Sequence, residues 1–412
     1  MKKIDIETKA GGVHGFIDER FSDLADVFIE NFTSRDEVGA SCSLSIEGRT
    51  IAELWGGRKT REGQAWEKDT VCTVFSATKG AMSLCAHILA DRGILDLDAL
   101  VTDYWPEFGA GDKESATVKM ALDHSLGVPH IRSALKEWAF YDYHYMVKKV
   151  EQEKTFWIPG TRSGYHALTM AWTVGEIVHR AAKERMGSFF NREVSQFLNT
   201  DFWIGAPVSA ASRISPMIAA EPDEAWMQTR FVQQALAGGE TPTHLFMRDF
   251  PLMNPNEPAC HQAEIGSANG ITNAQGLAAM YAPLACGGLV DGKRLVSNDT
   301  LARMARTSTA SHEDATLLIA TRFGLGFMKS TDNRKRADAV NSSLIIGDAA
   351  FGHVGAGGSV GFADPECKLS FGYAMNHMGT GILMNPRGQI LIDSVYQTLG
   401  YNSSDSGAWI SN

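Results

Sequence analysis

The sequence predicts an α/β (α+β) fold: a mainly antiparallel sheet flanked by helices and built from both chain ends, together with a mostly helical second lobe. Three observations predict it. Strand-like runs lie near both ends, at 39–46 and 50–55 and again at 358–363 and 368–375. The middle of the chain, from residue 118 to 238, is helical in its spacing. The chain has 412 residues, 44% hydrophobic and 21% charged, which suits a soluble protein of two or three domains at about 150 residues each.

The elements follow in order. Residues 21–32 read as a helix, because Leu24, Val27, Phe28 and Phe32 share one face. Residues 39–46 and 50–55 read as a β-hairpin turning at Glu47-Gly48 and ended by Gly56-Gly57. After a polar loop, 71–75 is a short apolar segment, and from Ser76 an apolar helix runs through Met82, Leu84, Cys85, Ile88 and Leu89 to Gly93. The clearest helix of the middle is 165–185, and 221–264, rich in proline and turn residues, reads as irregular. A helix over 273–286 follows. Strands are expected at 323–328, 344–351, 358–363 and 368–375, and a closing helix at 388–399. The order assigns 1–117 and 250–412 to a discontinuous sheet domain and 118–249 to a mostly helical one, with the ligand cleft between them.

Composition excludes several classes. The net charge is −10, and the one dense basic cluster, Asn333-Arg334-Lys335-Arg336, is flanked by Asp332 and Asp338. That is a solvated loop, so no nucleic-acid partner is expected. The six cysteines form no CxxC pair, which argues against a zinc or thioredoxin-type site and suits reduced thiols in a cytoplasm. Lys2-Lys3 is followed by Asp5 and Glu7 rather than an apolar core, and no apolar run reaches membrane-spanning length. No H-E-x-x-H is present, and His124, His130 and His144 show no familiar ligand spacing, so no metal or other cofactor is implied.

Three motifs carry chemistry. In Ser76-Ala77-Thr78-Lys79 the serine and lysine stand one helical turn apart on one face. The helix dipole favours an oxyanion near the serine, and burial of the lysine lowers its pKa toward that of a base. A second S-x-x-K, Ser133 to Lys136, lies in a mixed polar stretch, whereas Lys79 sits in an apolar helix where an idle charge is costly. In Pro159-Gly160-Thr161-Arg162-Ser163-Gly164-Tyr165, a glycine-marked turn delivers a tyrosine, whose proton a nearby lysine cation would loosen. In Gly352-His353-Val354-Gly355-Ala356-Gly357-Gly358-Ser359, four glycines allow close backbone approach, and the N–H groups can complete an oxyanion hole. Gly357-Gly358-Ser359-Val360-Gly361 also fits the G-x-S-x-G nucleophile elbow. Only 53 residues follow Ser359, too few for the remaining elements and both triad partners of that fold, so Ser359 is read as non-nucleophilic.

In this order the motifs resemble the serine β-lactamase and penicillin-binding-protein superfamily, most of all its esterase branch, the family VIII carboxylesterases. Ser76-x-x-Lys79 is similar to the first family motif, Tyr165 to the tyrosine of Tyr-x-Asn/Ser, and His353-Val354-Gly355 to Lys-Thr-Gly. The stretch from Asp91 to Asp98, with Tyr104-Trp105-Pro106-Glu107-Phe108 after it, is similar to the family's segment after the nucleophile helix. The resemblance implies a β-lactamase-like fold with Ser76 as nucleophile and Lys79 and Tyr165 as its activating pair. It implies an oxyanion hole from the backbone N–H groups of Ser76 and Ala356, and substrate contact at His353 and Gly355. Two positions depart from the pattern. Ala167 replaces the asparagine or serine of the second motif, and His353 removes the fixed cation of the third, which favours an uncharged ester over a carboxylate-bearing substrate. The expected function is hydrolysis of small, short-chain carboxylic esters through an acyl-Ser76 intermediate. The alternatives within the superfamily are β-lactamase or D-aminopeptidase-like hydrolysis and acyl transfer. The alternative outside catalysis is a binding module.

Overall fold

In the computed structural model, which describes residues 1–290 and 292–411, seven strands form one antiparallel sheet. They are β1 (Lys2–Thr8), β2 (Gly11–Ile17), β3 (Gly39–Ile46), β4 (Arg49–Gly57), β5 (Phe351–Val354), β6 (Val360–Asp364) and β7 (Leu369–Met375), in the order β1-β2-β4-β3-β7-β6-β5. The two chain ends meet at β3 and β7, where Cys42 lies opposite Tyr373. Four longer helices frame the sheet, α1 (Ser22–Ser34), α2 (Thr78–Asp91), α4 (Ala274–Ala285) and α5 (Pro386–Thr398), and a fifth, α3 (Met170–Ala182), packs on α2 and the helices of the middle.

Strand alternation decides which helix covers which face. Ser41 points to one face, where its Oγ accepts the Ala274 N–H at the start of α4, at 3.0 Å. The Cys42–Tyr373 pair points to the other, where the Tyr373 hydroxyl donates to Glu37 and Arg387 of α5 holds the same carboxylate at 2.9 Å. Leu24, Phe28 and Phe32 of α1 are buried, as their spacing requires. Helix α2 is buried on all sides from Thr78 to Leu89 and lies against α3 and β5. One hydrophobic cluster runs through the sheet, α2 and the helical middle without a break. Among the described residues no helix is long and apolar enough to cross a membrane.

The structure departs from the expected elements in five places. The first hairpin, β1–β2, is not among the expected strands. The helix expected from Tyr165 begins only at Met170, because carbonyls that its first turn would use are committed elsewhere: Gly164 to His166 Nδ1 and Ala167 to Lys79 Nζ. Residues 344–350 form no strand, since side chains take their backbone donors: Gln389 accepts from Ile345, Ser330 from Ile346 and Tyr396 from Gly347. In the 323–328 segment only Phe323 belongs to a strand, Thr321–Phe323, and the rest is a tight turn in which Met328 bridges both Phe323 and Gly352. Within 221–264 the chain is partly helical, with short helices Glu224–Met227, Arg230–Leu236 and Pro242–Asp249 capped by Asp223, Thr229 and Thr241.

Candidate active site

The nucleophile arm is built from a short strand and a clamped turn. Cys72–Thr73 pairs with Ile271–Thr272, and a 3-10 turn, Phe75–Ala77, then leads into α2. Phe75 holds φ +44°, a strained conformation for a bulky residue, of the kind that clusters at functional sites. Thr78 secures it: its Oγ1 donates to the Phe75 carbonyl at 2.5 Å and accepts the Gly270 N–H at 2.8 Å. Ser76 therefore sits in the turn before α2, its side chain capping nothing.

Lys79 lies one turn on and is fully buried. Its Nζ is 3.1 Å from Ser76 Oγ and donates to the carbonyls of Ala167 at 2.8 Å and Ser267 at 2.9 Å. No carboxylate pairs with it among the described residues. Burial holds its pKa well below that of an ordinary lysine, so the amine is available as a base. Ala167, the departure in the second motif, removes a side-chain contact but leaves the backbone acceptor Lys79 uses.

Tyr165 stands across from Lys79, its ring centroid 4.7 Å from Nζ. Asp314, fully buried, accepts the Tyr165 N–H at 2.9 Å and the Thr316 and Leu317 N–H groups at 2.8 and 2.9 Å, so one carboxylate ties this loop to the 314–317 turn. The ring packs against His124, Phe323 and His353 at centroid distances of 4.8, 6.0 and 6.0 Å. Burial pushes the Tyr165 hydroxyl pKa up; the Ser76 hydroxyl, its hydrogen-bond partner, acts against this and Asp314 adds to it. The expected loosening of the phenol proton by a lysine cation is thus not what the site provides. Burial acts on both groups, lowering the pKa of the amine and raising that of the phenol, and so favours the neutral form of each.

The glycine-rich strand closes the other side. A Cβ on Gly355 would meet the Val74 carbonyl oxygen at 2.1 Å, so only glycine lets β5 run this close to the nucleophile turn. That approach brings Ala356 to the cavity that Ser76 and Tyr165 also line. Among the described residues, no protein acceptor takes the backbone N–H of Ser76 or Ala356. His353 and Gly355, read from sequence as substrate contacts, are not on the cavity wall, where Val354 and Ala356 stand instead. His353 is fully buried behind Tyr165, with Nδ1 2.7 Å from the Val354 carbonyl and Nε2 without a partner. Burial, with Lys79 second, brings its pKa down to about 3. Ser359 is buried and off the cavity, and Ser133 is exposed and accepts from Lys149.

The cavity over Ser76 measures about 380 Å³; among the described residues its polar side chains are Ser76, Tyr165 and Thr380, and none on the wall is charged. Trp226, Phe231, Phe246 and Phe250 form one side and the 378–383 loop another. The aromatic wall comes from the stretch read as irregular; the signal was its density of aromatic residues among prolines. A larger groove of about 720 Å³ elsewhere, lined by Trp203 and Gln275 among others, holds none of Ser76, Lys79 and Tyr165.

An antiparallel sheet flanked by helices, with serine and tyrosine on one cleft and the lysine buried beneath it, defines a serine β-lactamase-like hydrolase class, and the chain belongs to the Beta-lactamase family, which residues 21–389 match. Over 388 residues it is 31% identical to the esterase/beta-lactamase LipL of Mycobacterium tuberculosis (strain ATCC 25618 / H37Rv), covering 90% of this chain and 85% of that one. The crystal structure of a family VIII carboxylesterase superposes with a TM-score of 0.81 at 32% identity, covering 94% of this chain and 99% of the other. A penicillin-binding protein homologue from Caulobacter crescentus superposes with a TM-score of 0.82 at 30% identity, with the same coverage of 94% and 99%.

Proposed function

We propose that the protein is a carboxylesterase that cleaves neutral esters through an acyl-Ser76 intermediate. The observation that carries this reading is a buried Lys79 amine 3.1 Å from Ser76 Oγ, beneath a cavity wall on which no described residue places a charged side chain. In the first step the Ser76 hydroxyl proton passes to Lys79 Nζ while Oγ bonds to the ester carbonyl carbon. The carbonyl oxygen becomes an oxyanion facing the Ser76 and Ala356 N–H groups. On collapse the C–O bond to the alcohol breaks. Tyr165 gives the departing alkoxide its proton and regains one from the Lys79 ammonium. Water then repeats the sequence on the acyl-serine. A wall without cations offers a carboxylate-bearing substrate no counter-charge, whereas about 380 Å³ of apolar space suits an uncharged acyl group. The volume extends the short-chain expectation to acyl groups of medium length. A second reading, β-lactam hydrolysis, is favoured by the similarity to the protein named esterase/beta-lactamase. The six free cysteines suit a reducing compartment, and we propose a cytoplasmic enzyme.

The test is covalent labelling with a fluorophosphonate, with peptide mass spectrometry, alongside kcat/KM for p-nitrophenyl esters from acetate to palmitate and for a chromogenic cephalosporin. Label on Ser76, its loss with Ser76→Ala, and turnover greatest for short and medium esters are expected. Label on Ser359, or a preference for the cephalosporin, overturns the ester reading.

A further inference from the structure

The two glycines after Ala356 leave the backbone soft at the place where an oxyanion donor has to stand still. Gly357 and Gly358 hold φ +85° and +117°. The Gly358 N–H donates to the Gly355 carbonyl at 3.0 Å, closing a four-residue turn with Ala356 and Gly357 at its centre. Nothing within the turn fixes its outer carbonyl, that of Gly357. Two groups from the other side of the cleft do. The Gly379 N–H reaches it at 3.0 Å, and Asn385 Nδ2 reaches it at 2.6 Å.

Asn385 is the N-cap of α5, and its Oδ1 accepts the Gly388 N–H at 3.2 Å. The side chain thus divides its two ends between two tasks. The oxygen starts the closing helix, and the amide nitrogen holds the turn that carries Ala356. It is 4% exposed. A Cβ on Gly358 would meet its Nδ2 at 2.3 Å, and one on Gly379 would meet it at 2.5 Å, so the backbone wraps it closely on two sides. A cap alone needs only an oxygen, and serine or aspartate serves as well.

We infer that Asn385 is a positioning residue for the oxyanion hole, aiming the Ala356 N–H by anchoring the Gly357 carbonyl to the rigid end of α5. The inference rests on the acyl-Ser76 reading and adds to it a residue that touches neither substrate nor nucleophile. Held from outside, the donor needs no reorganisation as charge develops on the ester oxygen, and a single such donor is worth about 100- to 1,000-fold in kcat.

Asn385→Ser and Asn385→Asp separate the two tasks, because each keeps an oxygen for the Gly388 N–H and removes the amide donor to Gly357. Rates are measured on p-nitrophenyl butyrate and normalised to sites titrated with a fluorophosphonate. Both variants are expected to lose about 10- to 100-fold in kcat with KM little changed. Affinity for an alkyl boronic acid, whose tetrahedral adduct places an oxygen anion in the hole, should fall by a similar factor. The pH profile should stay in place, since Lys79 is untouched. If both variants keep the wild-type kcat per titrated site, or lose kcat without losing boronate affinity, Asn385 is a helix cap only and the inference fails. Failure of the underlying reading looks different: the wild-type enzyme would then not label at Ser76.

Discussion

As a neutral amine Lys79 has two hydrogens to give, and the Ala167 and Ser267 carbonyls, at 2.8 and 2.9 Å, take both. The lone pair is then left for Ser76. Burial favours that neutral form. His124, His166 and His353 are buried, and burial is the main cause that lowers the pKa of each, to about 3 for His166 and His353. The tautomer of His166 is set by its neighbours: Nε2 accepts the Val128 N–H at 3.0 Å, so Nδ1 carries the hydrogen toward the Gly164 carbonyl at 2.7 Å. The sign of the pH dependence follows. Lys79 is a base above its lowered pKa, and turnover is lost as pH falls through that value and the amine takes up a proton. The acid limb of kcat/KM should therefore lie well below pH 10.5, the ordinary lysine value, with a plateau above that limb. Initial rates from about pH 5 to pH 10 check this, and a rate still climbing through the upper end contradicts it. Lys79→Ala and Tyr165→Phe should each cost about 100-fold or more in kcat. The double variant should lose little beyond either, because the two share one proton path. Independent, additive losses would make one of them structural.

At the scale of elements, the site is a meeting of α2 with β5, and Gly355 sets their separation. A methyl group there collides with the Val74 carbonyl, backbone that cannot yield without moving Ser76. Gly355→Ala should destabilise the fold by about 1–3 kcal/mol, the range for overpacking a close contact. Its kcat should fall further than its stability suggests, since the Ala356 N–H moves away from Ser76. Urea denaturation and kcat per titrated site, measured together, separate the two effects. A variant with unchanged kcat would show that β5 has room to move. The N-terminal side of α2 is equally constrained, by Thr78 bridging Phe75 and Gly270.

For the whole molecule, the question is what holds the two chain ends in one sheet. Part of the answer is a buried cluster at the β3–β7 seam. Arg387 donates to Glu37 at 2.9 Å, Tyr373 donates to the same carboxylate, and Asn31 of α1 donates to the Arg387 carbonyl at 3.1 Å. Burial pushes the Glu37 pKa up and Arg387 opposes it, so the guanidinium is what makes an ionised Glu37 tolerable there. Arg387→Met should destabilise the protein by about 3–5 kcal/mol, the cost of leaving a buried charge without its partner. Adding Glu37→Gln to that variant should recover part of the loss in urea denaturation. If the double variant is no better than the single, Arg387 acts through packing rather than charge.

Much of this was legible in the sequence, for a local reason. Burial faces repeat with the period of the element, so α1, the β3–β4 hairpin, α2, α4, β6, β7 and α5 announce themselves within a few residues. A serine and lysine one turn apart on a buried helix are likewise a local fact, and so is a run of glycines that only a close approach explains. What the sequence by itself determined was therefore the class of fold and the first motif. The tertiary structure decided the rest. Lys79 takes its acceptors from 88 and 188 residues away, Tyr165 takes its hold from Asp314, 149 residues on, and Gly357 takes its anchor from Asn385, 28 residues on at the N-cap of α5. The shifted pKa values of Lys79 and Tyr165, the burial of His353 and the apolar wall of the cleft all depend on which distant surfaces exclude water from the same point. No local pattern encodes that, because desolvation is a property of the packed whole.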